Sequence, residues 1–160
     1  MNLNLKLKCA VSLIGLALLA VAAPRHARAQ EETPATVERP LSSAPPGVRE
    51  FLAAIETGQA KTLLQAWPET RSVDLFGRKL DRLAAQQELK STGVRALLHW
   101  PDLHGKTAPV APLRMRIVSR HVGEVQVLPQ GAPGPVCTLH GLDNEPFRLV
   151  SCEAPVAPPP

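Results

Sequence analysis

The side chains of this sequence that could do chemistry are few: His99, His104, His121 and His140, the carboxylates Asp74 and Asp102, arginines at 114, 116 and 120, and Cys137 with Cys152. His99 and His104 could bring two imidazoles together only on a helix, and Pro101 lies between them. No cysteine or acid stands at metal-ligand spacing from them, so no metal and no cofactor are predicted. Nothing matches a nucleophile elbow, a phosphate loop or a paired-carboxylate site, and no catalytic residue is assigned. Asp74 or Asp102 would become a useful general base only if buried, because desolvation raises a carboxylate's pKa. The plainer reading puts each in a turn or on a solvated face. Arg114, Arg116 and Arg120 share one side of an alternating segment and suit either an acidic partner or the ordinary solvent face of a sheet. Trp67 and Trp100 each precede a proline, where they either line a pocket or close a small core.

The first residues decide which of these groups matter. Lys6 and Lys8 precede an apolar run from Cys9 to Ala23, too short to cross a bilayer comfortably, and Ala27-Arg28-Ala29 supplies a small-x-small cleavage site. Residues 1–29 therefore read as an export signal cut after Ala29, which predicts a periplasmic or secreted protein with no stable membrane span after cleavage. Lys6, Lys8, Arg25 and Arg28 leave with the signal, and of 18 basic and 14 acidic residues in the chain, 14 of each remain. A balanced mature charge gives no support to nucleic-acid binding. Cys9 leaves too, so Cys137 and Cys152 remain as an even pair in an oxidising compartment.

The elements that must position these groups lie between residues 48 and 153. Residues 30–47 read as a flexible linker and 154–160 as a proline-rich tail, both short of apolar periodicity. Val48, Phe51, Leu52 and Ile55 form one helical stripe, and Ala60, Leu63, Leu64 and Trp67 form a second after a bend at Thr57-Gly58. Ser72–Phe76 alternates as a strand that stops at Gly77, and Leu80, Leu83 and Ala84 open a third helix that Gly93 ends. Residues 94–112 are ambiguous between helix and strand. Leu113, Met115 and Ile117 then alternate, His121-Val122-Gly123 reads as a turn, and strands follow at 125–127, 136–140 and 147–152. The order predicts a single α+β domain with helices packed on one face of a curved antiparallel sheet and disordered ends.

In the final hairpin, Cys137 opposite Cys152 sets a register that places Leu139 against Val150 and Leu142 against Phe147. Asp143-Asn144-Glu145-Pro146 is left as the turn.

The order also resembles the nuclear-transport-factor-two-like superfamily, the cone-shaped fold of SnoaL-type polyketide cyclases and ketosteroid isomerases. The likeness rests on Val48–Leu64 for the opening helices and Val73–Arg78 for the first hairpin. Arg116–Val125 stands for the central strand pair, and Phe147–Ser151 for the closing strand. Gln59 stands where the family usually has an acid after the bend. The resemblance implies an apolar pocket inside the cone and dimerisation through the open sheet. The isomerase branch uses tyrosine hydroxyls, and this chain contains no tyrosine.

The helical stripes and the strand alternation converge on Phe51, Ile55, Leu63, Trp67, Leu83, Met115 and Ile117 as lining of that pocket. The expected function is an exported binding or accessory domain with an apolar small molecule or an envelope protein as partner, and no defined catalytic activity. One alternative is a small cyclase- or dehydratase-like enzyme using a buried aspartate or histidine. Another is an interaction subunit of a bacterial envelope assembly.

Overall fold

The computed structural model describes residues 35–142 and 145–155. The predicted export signal and its predicted cleavage site, Asp143-Asn144 of the predicted turn and the last residues of the tail lie outside the described residues. The chain opens with β1 (Val37–Arg39) and a 3-10 turn (Leu41–Ser43), followed by α1 (Val48–Thr57) and α2 (Ala60–Ala66). Next come β2 (Val73–Leu75), β3 (Arg78–Leu80), α3 (Arg82–Thr92) and α4 (Val94–Leu97). A small hairpin, β4 (Asp102–Leu103) and β5 (Lys106–Thr107), leads to β6 (Leu113–Ser119), β7 (Val122–Val127), β8 (Val136–Leu142) and β9 (Arg148–Glu153). Seven strands make one sheet in the order β1-β6-β7-β8-β9-β2-β3, antiparallel except where β2 runs parallel to β9. The α+β class and the predominantly antiparallel sheet are as the sequence predicts.

Alternation sorts the sheet into two faces. Val127, Cys137, Cys152 and Leu75 are paired in turn from β7 to β2, and all four are buried. Phe51, Ile55, Leu63 and Trp67 from the helical side join them in one core. The adjacent row turns the other way. Glu38, Arg114, Gln126, Thr138, Ser151, Asp74 and Lys79 are register partners across all seven strands, a polar row from edge to edge. A half-solvated antiparallel sheet has this hydrophobic-in, polar-out division.

The ambiguous segment resolves by capping. Val94–Leu97 is a helical turn, and Arg95 donates from Nε to the Ile55 carbonyl at 3.1 Å and from Nη2 to Glu56 at 2.6 Å. These bonds satisfy carbonyls at the end of α1 that have no partner within that helix. Trp100 Nε1 donates to the Ala108 carbonyl at 3.0 Å, which ties β4 and β5 against the buried indole. The turn between β6 and β7 is Arg120-His121, so Val122 and Gly123 already belong to a strand. The segment read as linker contributes an edge strand, with Val37, Glu38 and Arg39 paired to Met115, Arg114 and Leu113.

Candidate functional site

The seven predicted pocket residues do not line an open pocket. Phe51, Ile55, Leu63 and Trp67 are fully buried within the core, and Met115 packs partly buried against it. Leu83 is 65% exposed and Ile117 71% exposed, so neither faces the interior. The buried stripe of α3 is Ala85 and Leu89, one helical turn apart; Leu83 precedes Ala85 by two residues, about 200° around the helix axis. Ile117 keeps the alternation of Leu113 and Met115 but lies beyond the part of β6 that the core covers. None of the seven lines the three clefts described here. The buried ones belong to one packed core between the helices and the sheet.

Cys137 and Cys152 form the predicted disulfide, with Cα atoms 4.0 Å apart, inside the roughly 7 Å a bridge can span. The predicted register holds at Cys137–Cys152 and Thr138–Ser151 and then fails: Leu139 pairs with Leu149 and His140 with Arg148. Val150 is the extra residue of a β-bulge. Leu149 and Cys152 are both buried, and two positions three apart cannot share a face of a regular strand. The bulge restores the alternation and leaves Val150 exposed. Phe147 does not meet Leu142. Its ring lies instead over the paired glycines Gly123 and Gly141, where an added Cβ would come within 3.2 and 2.5 Å of ring carbons. Its N–H donates to Pro46 at 3.0 Å. Its carbonyl passes so close to Gly47, which has φ 84°, that no side chain fits there.

The bulge also opens a cleft. β2 pairs with β9 only at Ser151 and Cys152, so the chain entering β2 diverges from Arg148–Val150. The resulting wedge has a volume of about 470 Å³. Pro68–Ser72 lines it together with Val122, His140, Leu142, Pro146, Arg148 and Val150. Val122 and Leu142 are register partners on the polar side of the sheet, and with Val150 they form an apolar corner there. The volume falls within the roughly 300–1,000 Å³ of small-ligand sites.

Behind His140 stands a carboxylate that the sequence reading did not single out. Arg116, Glu124, His140 and Arg148 are successive register partners across β6 to β9. Glu124 is the buried charged residue of the described chain, at 5% exposure. Arg116 grips it with both ends of the guanidinium, Nε to Oε1 at 2.7 Å and Nη2 to Oε2 at 2.9 Å. His140 Nε2 lies 3.3 Å from Oε2. An ionised carboxylate only accepts, so this imidazole nitrogen is the donor. The hydrogen bond and the attraction of Glu124 raise the Arg116 pKa above its ordinary value.

The predicted chemical residues are placed elsewhere. Asp74 accepts from the Gly77 N–H at 2.8 Å and caps the β2–β3 turn. Asp102 and His99 line a second, more open cleft, where the His99 ring stacks on Phe76 with centroids 4.1 Å apart. His104 is exposed in the β4–β5 turn and His121 is exposed in the β6–β7 turn. Arg114 lies opposite Glu38 in the polar row, and Arg120 is exposed in its turn. Among the described residues no cluster of three or more His, Cys, Asp or Glu is placed to hold a metal ion. Likewise, no helix among them is long and apolar enough to cross a membrane. A third cleft, reaching Gly47, Glu50 and Arg82, shares Glu69, Pro146 and Arg148 with the first.

No family model matches the chain, and no curated protein matches it. Among solved structures it is similar to a domain of unknown function with a cystatin-like fold from Nostoc punctiforme, at 13% identity and a TM-score of 0.45. The alignment covers 69% of this chain and 74% of that one. So distant a likeness carries no argument about the site.

Proposed function

We propose that the mature protein is an exported, periplasmic or secreted binding module that holds a small ligand in the cleft beside the β9 bulge and does not transform it. The observation that carries this reading is the apolar corner of Val122, Leu142 and Val150 on an otherwise polar sheet face, opening into a wedge of about 470 Å³. Apolar contact drives binding at about 25 cal/mol per Å² buried. The histidine in the wedge does not make it an enzyme, because its carboxylate partner is engaged by Arg116 through two contacts and is shared rather than dedicated.

Export remains part of the proposal, supported by the signal-like first 29 residues and by the disulfide. The nuclear-transport-factor-two-like ancestry is also proposed, on the order α1, α2, the β2–β3 hairpin and α3 ahead of the four antiparallel strands β6–β9. In this reading the resemblance does not locate the site, since the cone interior is filled. A homodimer through the sheet would have to cover the polar row and the Arg116–Glu124–His140 ladder, and it is not included.

The test is a thermal-shift screen of small ligands on the wild type and on Val150→Glu and Leu142→Glu. Both positions are exposed, so the fold tolerates the charge. Ligands should stabilise the wild type, lose that effect in both variants, and be recovered unchanged after incubation. Hits that stabilise all three proteins equally, or that come back chemically altered, would defeat the proposal.

A further inference from the structure

The polar groups of the wedge differ in how they are held, and the difference points to one ligand chemistry. Its ionisable lining comprises Arg71, Arg148 and His140 against Glu69 and Glu145. Both acids are exposed, and neither is ion-paired among the described residues. Arg148 and His140 are half-buried and anchored from behind, Arg148 by a hydrogen bond from Nη1 to the Gln65 carbonyl and His140 by Glu124. That bond uses one of the five N–H donors of Arg148, and among the described residues no carboxylate takes the others. Arg71, exposed, belongs to the same lining and is also without an acid partner among the described residues. The fixed polar groups of the wedge are therefore cationic or neutral donors, while its floor is aliphatic.

We infer that the cleft binds a small carboxylic acid with an apolar body, the carboxylate on Arg148 and Arg71 and the body over Val122, Leu142 and Val150. Guanidinium matches a carboxylate with two parallel hydrogen bonds, and a group already anchored loses little freedom on binding. A cationic ligand would meet the anchored guanidinium of Arg148 and find only the exposed Glu69 and Glu145 as anionic partners. This inference rests on the cleft-binding reading and specifies its ligand.

The experiment compares octanoate, octanol and octylamine, which share one chain length, by isothermal titration and amide-shift mapping on the full mature protein. Octanoate should bind about tenfold or more tightly than the other two, the difference expected of charge-assisted hydrogen bonds. It should weaken about tenfold in Arg148→Gln while octanol is unchanged. Because Arg148 also braces α2, Arg71→Gln serves as the second variant and should show the same selective loss. Equal binding of the three probes, abolished by Val150→Glu, would overturn the carboxylate assignment and leave the cleft reading standing. Octanoate binding that survives Val150→Glu would overturn both. No measurable binding of octanoate, with the cleft intact by amide shifts, would overturn the carboxylate assignment.

Discussion

Gly141→Ala tests how the sheet is packed against the β8–β9 connection. A Cβ at Gly141 would stand 2.5, 2.6 and 2.8 Å from three carbons of the Phe147 ring, where carbon atoms ordinarily approach to about 3.5–4.0 Å. The ring must retreat by about 1 Å. It cannot do so freely, because the Phe147 N–H is bonded to Pro46 and its carbonyl is packed on Gly47. Tilting the ring off its rotamer costs about 0.5–1.5 kcal/mol, and overpacking of this kind costs about 1–3 kcal/mol in total. For a domain of this size that is a fall in Tm of roughly 5–15 °C. At Gly123 the nearest ring carbon is 3.2 Å away, so Gly123→Ala should cost less than half as much. Urea unfolding of Gly141→Ala, Phe147→Ala and the double variant closes the argument. Without the ring the new methyl has space, and an alanine in a strand is then neutral or stabilising by about 0.5–1 kcal/mol relative to glycine. The coupling energy should be about 1–3 kcal/mol. Additive single effects, or equal costs at Gly123 and Gly141, would refute the packing.

Three further outcomes are expected. Replacing Cys137 and Cys152 by serine should cost about 3 kcal/mol, for a sequence separation of 15, measured by urea midpoint; coincident curves with wild type would contradict it. Leu83→Ala and Ile117→Ala should change stability by less than about 0.5 kcal/mol, whereas Ile55→Ala and Trp67→Ala should each cost about 2–5 kcal/mol; similar costs in the two pairs would put Leu83 and Ile117 back in the interior. Edman sequencing of protein recovered from the periplasm or medium should begin at Gln30, and abundant native protein starting at Met1 would remove the export proposal.

Local patterns in the sequence were legible where one face decides burial. The stripe from Val48 to Ile55 and the alternation from Leu113 to Met115 hold because each repeats a period that the core enforces. The disulfide followed from a hairpin and a pair of cysteines. What was not legible depends on neighbours distant in sequence. Ile117 fits its period but lies past the stretch of β6 that the core covers, and Leu83 lies off the Ala85–Leu89 stripe that α3 buries, a choice of face that neighbouring elements make. Glu124 reads alone as a polar residue in a strand; its role appears only when β6, β7 and β8 are set in register and Arg116 and His140 fall on either side. A signal for the bulge was present, since Leu149 and Cys152 are apolar and three apart, an odd spacing that a regular strand cannot bury on one face. The cleft is a consequence of that one inserted residue and of a short parallel pairing, and neither is written in composition or periodicity.

The proposed ligand sits in the wedge beside Val150 and not in the buried core. Native mass spectrometry of the protein and its Val150→Glu variant, each purified from the cells that make it, measures this directly. One small molecule should be retained by the wild type and its mass lost from the variant, with both polypeptides disulfide-bonded and differing in mass only by the substitution itself. Retention undiminished in Val150→Glu, or a ligand lost only when a buried core residue such as Leu63 is changed, would contradict it.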